Sequence, residues 1–153
     1  MRKDRKRNKK KILIVDDSEL NRSLLSDMLA GEFEIMEAEN GMQAVMILQE
    51  HELEIALVLL DIVMPEMDGF EVLAMMNNKG WIKTTPVIMI SAETGSTYID
   101  RAYDLGAVDY ISRPFDERTV KHRVMSNFML AIKQKEMADM LYTQVCEHER
   151  DNR

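Results

Sequence analysis

Five polar residues along the chain have side chains suited to binding or transferring phosphate: Asp16, Asp17, Asp61, Ser91 and Arg113. Three carboxylates in one pocket raise one another's pKa values unless a cation lies between them, and oxygen ligands suit a hard cation such as Mg²⁺. With the ion bound, one carboxylate can act as a nucleophile toward a phosphoryl donor. A serine hydroxyl can hydrogen-bond a phosphoryl oxygen, and an arginine can grip phosphate through two hydrogen bonds.

Each of these residues follows or ends a short apolar run that predicts a β-strand. The four runs comprise residues 11–15, 55–60, 86–91 and 108–111. In open α/β sheets, ligands bind at the carboxyl ends of the strands, near the point where the strand order reverses. Taken singly, each residue has an ordinary explanation; Asp16 and Asp17, for example, suit a helix N-terminus. Because all of them occur at predicted strand ends, we expect them to converge and to form a functional site.

The pattern between these runs predicts five strands that alternate with five helices. A further strand is predicted at residues 33–38. Ser18 and Asn40 are typical N-caps for the first two helices, and Gly31 ends the first. The remaining helices are predicted at about residues 70–77, 94–105 and 116–148. This alternation indicates an α/β fold with a parallel sheet covered by helices on both faces.

The 153 residues carry a formal net charge of −7 that is unevenly distributed. Residues 2–11 contain eight Lys or Arg and one Asp, so the remainder of the chain is strongly acidic. An acidic body repels phosphate backbones, which argues against direct nucleic-acid binding by the fold itself. We interpret residues 1–10 as a solvated, disordered leader or an expression remnant. Contact with nucleic acid, anionic lipid or an acidic partner is the alternative.

Three features of the sequence bear on the cellular compartment. The longest uninterrupted apolar run, residues 55–60, is too short to span a bilayer, and no apolar stretch follows the basic N-terminus as it does in a secretory signal. The single cysteine, Cys146, has no partner for an intramolecular disulfide. We therefore predict a cytoplasmic protein without a membrane span.

Four segments closely resemble the receiver domains of two-component response regulators: residues 14–18 (IVDDS), 60–69 (LDIVMPEMDG), 90–92 (ISA) and 109–115 (DYISRPF). They occur in the family's order and spacing, and the resemblance covers about residues 11–130. It implies a doubly wound (βα)₅ fold with a five-stranded parallel sheet of flavodoxin-like order, followed here by an extended C-terminal helix. We therefore divide the chain into a leader (1–10), a receiver domain (11–130) and a helical extension (131–153).

The resemblance also implies a role for each of the acids. Asp61 matches the phosphoacceptor of the family. Asp17 and Asp61 match direct Mg²⁺ ligands, joined by the backbone carbonyl of Val63, and Asp16 matches the residue that acts through water. The cofactor implied by the resemblance is therefore Mg²⁺.

Other positions resemble the switch machinery of the family, with one departure. Ser91 matches the switch Ser/Thr, and Tyr110 matches the aromatic residue that turns inward on activation. The family usually has Lys where this chain has Arg113, which keeps the positive charge but is longer and planar. We expect phosphorylation to be retained because every acidic residue is intact. The bond before Pro114 is expected to be cis, as is common in the family.

These roles imply a phosphorylation-activated signalling switch rather than an enzyme. The partner would be a sensor histidine kinase or a phosphotransfer protein, and the output would be changed association through the face of the fourth helix, fifth strand and fifth helix. Two alternatives remain. Arg113 motivates a phosphorylation-independent, receiver-like scaffold. An aspartyl-phosphate hydrolase would need a second acid two residues after the nucleophile, where this chain has Val63.

The extension carries an apolar pattern typical of a coiled coil. Its seam has 4-3 spacing and consists of Val124, Phe128, Ala131, Lys135, Ala138, Tyr142 and Val145. The one polar member, Lys135, can set the register of the seam. We predict a parallel homodimer through this helix; a helix folded back on the receiver, or a frayed linker, is the alternative. We also expect an effector domain to continue the natural protein, although a single-domain regulator fits the same sequence.

Overall fold

A computed structural model of the chain describes residues 9–151, so residues 1–8 of the predicted leader and residues 152 and 153 lie outside the description. Within that range one parallel sheet contains strands β1 (Lys11–Val15), β2 (Glu34–Ala38), β3 (Ile55–Asp61), β4 (Val87–Ser91) and β5 (Asp109–Ser112). Their order across the sheet is β2-β1-β3-β4-β5. The strand order therefore reverses at β1 and β3.

Helices connect the successive strands, and a last helix follows β5. They are α1 (Glu19–Leu29), α2 (Gly41–His51), α3 (Gly69–Asn78), α4 (Ser96–Asp104) and α5 (Glu117–Asp151), and a short 3₁₀ helix (Trp81–Lys83) precedes β4. The predicted α/β fold is confirmed for residues 9–151, including the flavodoxin-like strand order and the extended C-terminal helix.

The helices begin where the sequence supplies a cap. The side chains of Ser18 and Asn40 accept hydrogen bonds from the backbone of α1 and α2, as predicted, and Asp68 does the same for α3. α4 begins at Ser96, two residues later than predicted, because Gly95 has an extended backbone conformation. The other predicted boundaries differ from the observed ones by three residues at most.

Both faces of the inner strands β1, β3 and β4 are buried, which explains why these strands are almost entirely apolar, whereas the edge strand β2 exposes Glu34 and Glu37. Along β1, Ile12 and Ile14 belong to one apolar cluster and Leu13 to the other. The first cluster contains side chains of α1 and α5, and the second contains side chains of α2, α3 and α4. Helices on both faces leave the carboxyl edge of the sheet as the place where polar side chains gather.

The last helix, α5, has two parts with different environments. Val120 and Val124 are fully buried, and the ring of Phe128 contacts that of Phe33 edge-on at a centroid distance of 5.3 Å. Val124 and Phe128, the first two residues of the predicted coiled-coil seam, are therefore part of the receiver's core and are not free for a partner helix. The prediction was wrong on this point because the same apolar spacing serves the contact with the sheet.

Beyond residue 130 the helix continues as a single rod to Asp151 with a mostly exposed surface. Its apolar side chains there are exposed to solvent in this single chain: Met137, Met140, Leu141, Tyr142 and Val145. No helix within residues 9–151 combines the length and the apolar character that a membrane span requires.

Candidate functional site

Three aspartates lie together at the carboxyl edge of the sheet, where the strand order reverses. Asp16 and Asp17 directly follow β1, and Asp61 is the last residue of the neighbouring β3. One carboxylate oxygen of each residue lies within 4.8 Å of those of the other two. The fold thus brings together the three acids that the sequence predicted to converge.

Asp16 is fixed in this group by hydrogen bonds to its backbone and side chain. Its Oδ1 accepts a hydrogen bond from the backbone N–H of Ser18 at 2.9 Å, and its own N–H donates to the carbonyl of Ala38 at 3.1 Å. Arg22 Nη1 donates to the Asp16 carbonyl oxygen at 2.7 Å. Burial of the side chain, which is only 2% exposed, raises the pKa of Asp16, while the Ser18 bond and Arg113 oppose this shift.

Asp61 is the acid whose protonation is perturbed most clearly. Burial raises the pKa of Asp61 to about 6; the positive charge of Arg113 lowers it, and the charges of Asp16 and Asp17 raise it. At neutral pH the carboxylate is therefore mostly ionised, although it is only 4% exposed. A buried, ionised carboxylate beside two others favours the binding of a cation.

Arg113 supplies the positive charge that contacts these acids within the described structure. Its Nη2 lies 2.5 Å from Asp16 Oδ2 and 3.2 Å from Asp61 Oδ2. Its backbone N–H donates to the carbonyl of Ser91 at 2.8 Å, which ties the β5 end of the site to β4. The Arg113–Pro114 bond is cis, as predicted.

The donor set fits a hard divalent cation better than a soft one. It consists of carboxylate oxygens without a cysteine or histidine, and the oxygens are close enough to share one ion. Val63, whose carbonyl the resemblance implies as a further ligand, lies two residues after Asp61 in the same loop and exposes its side chain. These residues are the ones that would hold Mg²⁺.

A close backbone contact that the sequence analysis missed fixes the loop after β3. A Cβ atom added to Gly69 would lie 2.1 Å from the carbonyl oxygen of Asp61, and the Gly69 N–H donates to the carbonyl of Ile62 at 2.8 Å. Glu66 adopts a positive φ of 65° in the same loop. Gly69 belongs to the quoted segment 60–69, so its identity was visible in the sequence, but its proximity to the backbone of Asp61 was not.

The backbone of Glu93, a residue that the sequence analysis did not identify, forms hydrogen bonds with both Ser91 and Tyr110. The hydroxyl of the buried Ser91 accepts a hydrogen bond from the Glu93 N–H at 3.1 Å. The hydroxyl of Tyr110 donates to the Glu93 carbonyl at 2.5 Å, and the side chain of Tyr110 is buried. Burial also raises the pKa of the Tyr110 hydroxyl. The loop between β4 and α4 therefore joins both residues of the predicted switch.

Comparison with known proteins gives one consistent family. The profile of the response regulator receiver domain family matches residues 12–125. An alignment of 114 residues with the transcriptional regulatory protein SrrA of Staphylococcus aureus has 42% identity. It covers 74% of this chain and 45% of that protein. An alignment of 133 residues with a probable cyclic di-GMP phosphodiesterase of Vibrio cholerae has 36% identity, and it covers 87% of this chain and 29% of that protein.

A solved structure matches over most of its length. It is a chain of the CheX–CheY–BeF₃–Mg²⁺ complex from Borrelia burgdorferi, with a TM-score of 0.72 and 36% identity over 78% of this chain and 89% of the other. By contrast, this chain spans less than half the length of the two curated relatives.

Proposed function

Because the chain belongs to the response regulator receiver domain family, we propose that it is a signalling switch in which Asp61 accepts a phosphoryl group. Membership makes it a regulatory domain of two-component signal transduction. The observation that carries the proposal is the convergence of three carboxylates within 4.8 Å around the buried Asp61, with Arg113 in contact. The phosphoryl donor is a phosphohistidine of a sensor kinase or of a phosphotransfer protein.

Transfer requires an ionised Asp61 and charge compensation. A carboxylate oxygen of Asp61 attacks phosphorus, so that a P–O bond forms while the P–N bond to the donor imidazole breaks. The imidazole leaves with the bonding electron pair and takes a proton. With a pKa of about 6, Asp61 has already lost its own proton at neutral pH. The phosphoryl group then remains on the chain, which makes the domain a phosphoacceptor and not an enzyme with turnover.

Mg²⁺, held by Asp16, Asp17, Asp61 and the Val63 carbonyl, would neutralise charge on the entering phosphoryl oxygens. Asp17 is exposed, so this side of the site is open to the donor. Asp16 is buried and held by Ser18 and Arg22, so its orientation is fixed before any ligand enters. The exposed Asp17 is therefore suited to admit the ion, and the buried Asp16 is suited to position it.

The signal leaves through the loop between β4 and α4. A phosphoryl group on Asp61 adds acceptor oxygens to which the Ser91 hydroxyl can donate. Movement of Ser91 breaks the hydrogen bond that its hydroxyl accepts from the Glu93 N–H. The carbonyl of the same Glu93 accepts the hydrogen bond from the Tyr110 hydroxyl. The expected result is a shift of α4 and β5 relative to α5, which changes association at that face.

We extend the proposal to a parallel homodimer through residues 131–151. Within this segment the seam residues Tyr142 and Val145 are exposed in the single chain, and a helix with such a surface is stabilised by pairing. The members of the predicted seam that remain available are Ala131, Lys135, Ala138, Tyr142 and Val145, since Val124 and Phe128 contact the receiver. The output of the switch is control of an effector activity.

Two other functions fit the site less well. A phosphorylation-independent scaffold is favoured only by Arg113 in place of Lys, and it does not account for a buried acid beside two others. A hydrolase needs a second catalytic acid near the nucleophile, yet Val63 stands two residues after Asp61 and exposes an apolar side chain.

Binding of beryllofluoride, a mimic of the phosphoryl group, tests the proposal. We expect fluorine NMR of the full chain to show a bound signal only when Mg²⁺ is present and to lose it in Asp61→Asn. Asp27→Asn, an acid on the exposed surface of α1, is the matched control and should bind as the unchanged chain does. Binding that persists in Asp61→Asn, or its absence from the unchanged chain, contradicts the proposal; the second result favours the scaffold.

A further inference from the structure

The chain bends between Asp16 and Asp17, and this bend brings their two carboxylates together. Successive side chains of an extended strand point to opposite faces of the sheet. Asp16 and Asp17 are successive residues, yet one carboxylate oxygen of each lies within 4.8 Å of the other and of one from Asp61. β1 ends at Val15, and a bend at Asp17 follows it directly. The shape of the acidic cluster therefore depends on how the peptide between the two aspartates is held.

A charged side chain holds this peptide. Arg22, in the first turn of α1, donates from Nη1 to the carbonyl oxygen of Asp16 at 2.7 Å. Its Nε donates to Glu37 Oε1 at 3.3 Å, and only 12% of the Arg22 side chain is exposed. Hydrogen bonds from a charged donor are shorter and stronger than those between neutral groups. Because rotation of the Asp16–Asp17 peptide would break the Nη1 bond, Arg22 opposes any change in the bend.

The edge strand β2 completes the arrangement, although it carries none of the acids of the cluster. Glu37 and Ala38 are its last two residues. The carbonyl of Ala38 accepts a hydrogen bond from the Asp16 N–H at 3.1 Å, and Glu37 binds the side chain of Arg22. Both backbone polar groups of Asp16 are thus tied to β2, the N–H directly and the carbonyl through Arg22.

We propose that Arg22 is a positioning residue of the metal site: it bridges the Asp16 carbonyl and Glu37, and so sets the carboxylates of Asp16 and Asp17 in place before Mg²⁺ enters. This inference rests on the proposed Mg²⁺ site and adds to it a residue that contacts no ligand. Residues that orient metal ligands from outside the coordination sphere typically contribute roughly 10- to 100-fold to metal affinity.

The charge of Arg22 acts in the opposite direction to its positioning role. A guanidinium repels a divalent cation, so a residue that acted through its charge alone would weaken Mg²⁺ binding, and its removal would strengthen it. A residue that positions the ligands strengthens binding, and its removal weakens it. The sign of the change in Mg²⁺ affinity therefore distinguishes the two roles.

Calorimetric titration of the full chain with Mg²⁺, without a phosphoryl donor, measures this sign. Arg22→Gln is expected to bind Mg²⁺ about tenfold more weakly than the unchanged chain. Arg22→Lys keeps the charge but has a single nitrogen for the two partners of the bridge, so its affinity should lie between these values. Arg123→Gln removes an equal charge from the exposed pair with Asp109 and should leave the affinity unchanged.

Hydrogen exchange at the Asp16 amide tests whether the bend is set before the ion enters. In the metal-free Arg22→Gln variant this amide should exchange faster than in the unchanged chain, because its bond to Ala38 opens more often. Saturating Mg²⁺ should slow the exchange in the variant, since the ion then holds the two acids, and should have little effect in the unchanged chain. Equal exchange rates in the two metal-free proteins contradict the inference.

The outcomes separate the inference from the function on which it rests. If the unchanged chain binds Mg²⁺ and Arg22→Gln binds it equally or more tightly, the positioning role is refuted while the phosphoacceptor function stands. If the unchanged chain binds no Mg²⁺, the proposed function itself fails and the inference fails with it. Should Arg22→Gln not fold, Arg22→Lys decides: an affinity equal to or above that of the unchanged chain refutes the bridge.

Discussion

Asp61 combines burial with two neighbouring negative charges, and these conditions oppose its ionised form. The pKa of Asp61 is therefore raised from an ordinary value of 3.8 to about 6, so the folded state binds the proton of Asp61 more tightly than the unfolded state does. The folded protein therefore tolerates an unfavourable charge at the place where a phosphoryl group and a metal ion would relieve it.

Asp61→Asn is expected to stabilise the metal-free protein. At pH 7.5 the neutral amide removes the buried charge, and the shift in pKa corresponds to a gain of about 1–3 kcal/mol in the free energy of unfolding. Because the folded pKa is raised, the unchanged chain recovers this stability as the pH falls from about 6 toward 4. Urea unfolding of both proteins across this range measures the difference.

The direction in which this difference in unfolding free energy changes with pH tests the prediction. The difference should be largest above pH 7, shrink as the pH falls through the folded pKa of Asp61, and also shrink when Mg²⁺ is added at pH 7.5. A difference that grows at low pH would mean that Asp61 is stabilised as a carboxylate, contrary to its environment here.

The acids of the site were predictable from the sequence because their side chains follow apolar runs, whereas their supporting contacts were not. Arg22 reaches the carbonyl of Asp16, and Glu93 contributes only backbone groups to Ser91 and Tyr110. Backbone contacts of this kind leave almost no trace in residue type, because any residue except proline at position 93 would supply the same N–H and carbonyl.

At the scale of elements, the loop between β3 and α3 determines how Asp61 is presented. Gly69 begins α3 directly against the carbonyl of Asp61, with no room for a side chain. The close approach fixes the start of the helix relative to the end of the strand. Changes at this glycine should therefore affect stability and site geometry together.

Gly69→Ala is expected to lower the free energy of unfolding by about 2–4 kcal/mol, since the new methyl group overlaps backbone atoms that cannot move away. Gly31→Ala is the matched control: an added Cβ there meets no atom within 4 Å, so its effect should stay within about 1 kcal/mol. Urea unfolding measures both. Equal effects from the two substitutions would show that the Gly69 contact is relaxed in solution.

The two parts of α5 should also differ in what they contribute to stability. Phe128→Ala removes the edge contact with Phe33 and should destabilise the receiver by about 2–4 kcal/mol. Tyr142→Ala, in a side chain that is 73% exposed, should change the unfolding of dilute protein by less than about 0.5 kcal/mol. A large effect of Tyr142→Ala at low concentration would indicate that residues 131–151 fold back onto the receiver.

The wrong assignment of Val124 and Phe128 to a coiled-coil seam is explained at the scale of the helix. Val124 and Phe128 have the spacing of a helix that packs on something, and spacing alone does not distinguish a sheet from a second helix. Only the position of α5 against Phe33 and β5 decides which surface they contact. The side chains of residues 131–151 are mostly exposed, so the pairing prediction applies to this segment alone.

At the scale of the whole molecule, the proposed homodimer depends on the exposed half of α5. Tyr142→Glu combined with Val145→Glu should convert a dimer into a monomer in light scattering, because charges would then face each other across the seam. Met140→Glu is the control: it also replaces an exposed apolar residue, but it lies roughly opposite to the seam on the helix. A dimer that resists the double substitution, or that is lost with Met140→Glu, places the interface elsewhere.

The whole fold was predictable because its signals reinforce one another. The nearly apolar inner strands β1, β3 and β4 require a sheet covered on both faces, and parallel strands bring their carboxyl ends to one edge. The arrangement of Arg113 between two acids was not predictable, since it depends on which carboxylate the long side chain reaches. The pattern of residue types in the sequence therefore locates the site, and the packing of the side chains determines how its charges pair.

The most direct measurement of the central claim is the intact mass of the full chain after incubation with a small acyl phosphate and Mg²⁺. We predict the addition of one phosphoryl group, mapped to Asp61, absent when Mg²⁺ is chelated and absent in Asp61→Asn. A chain that stays unmodified under these conditions, or one that is modified equally well after Asp61→Asn, contradicts the account.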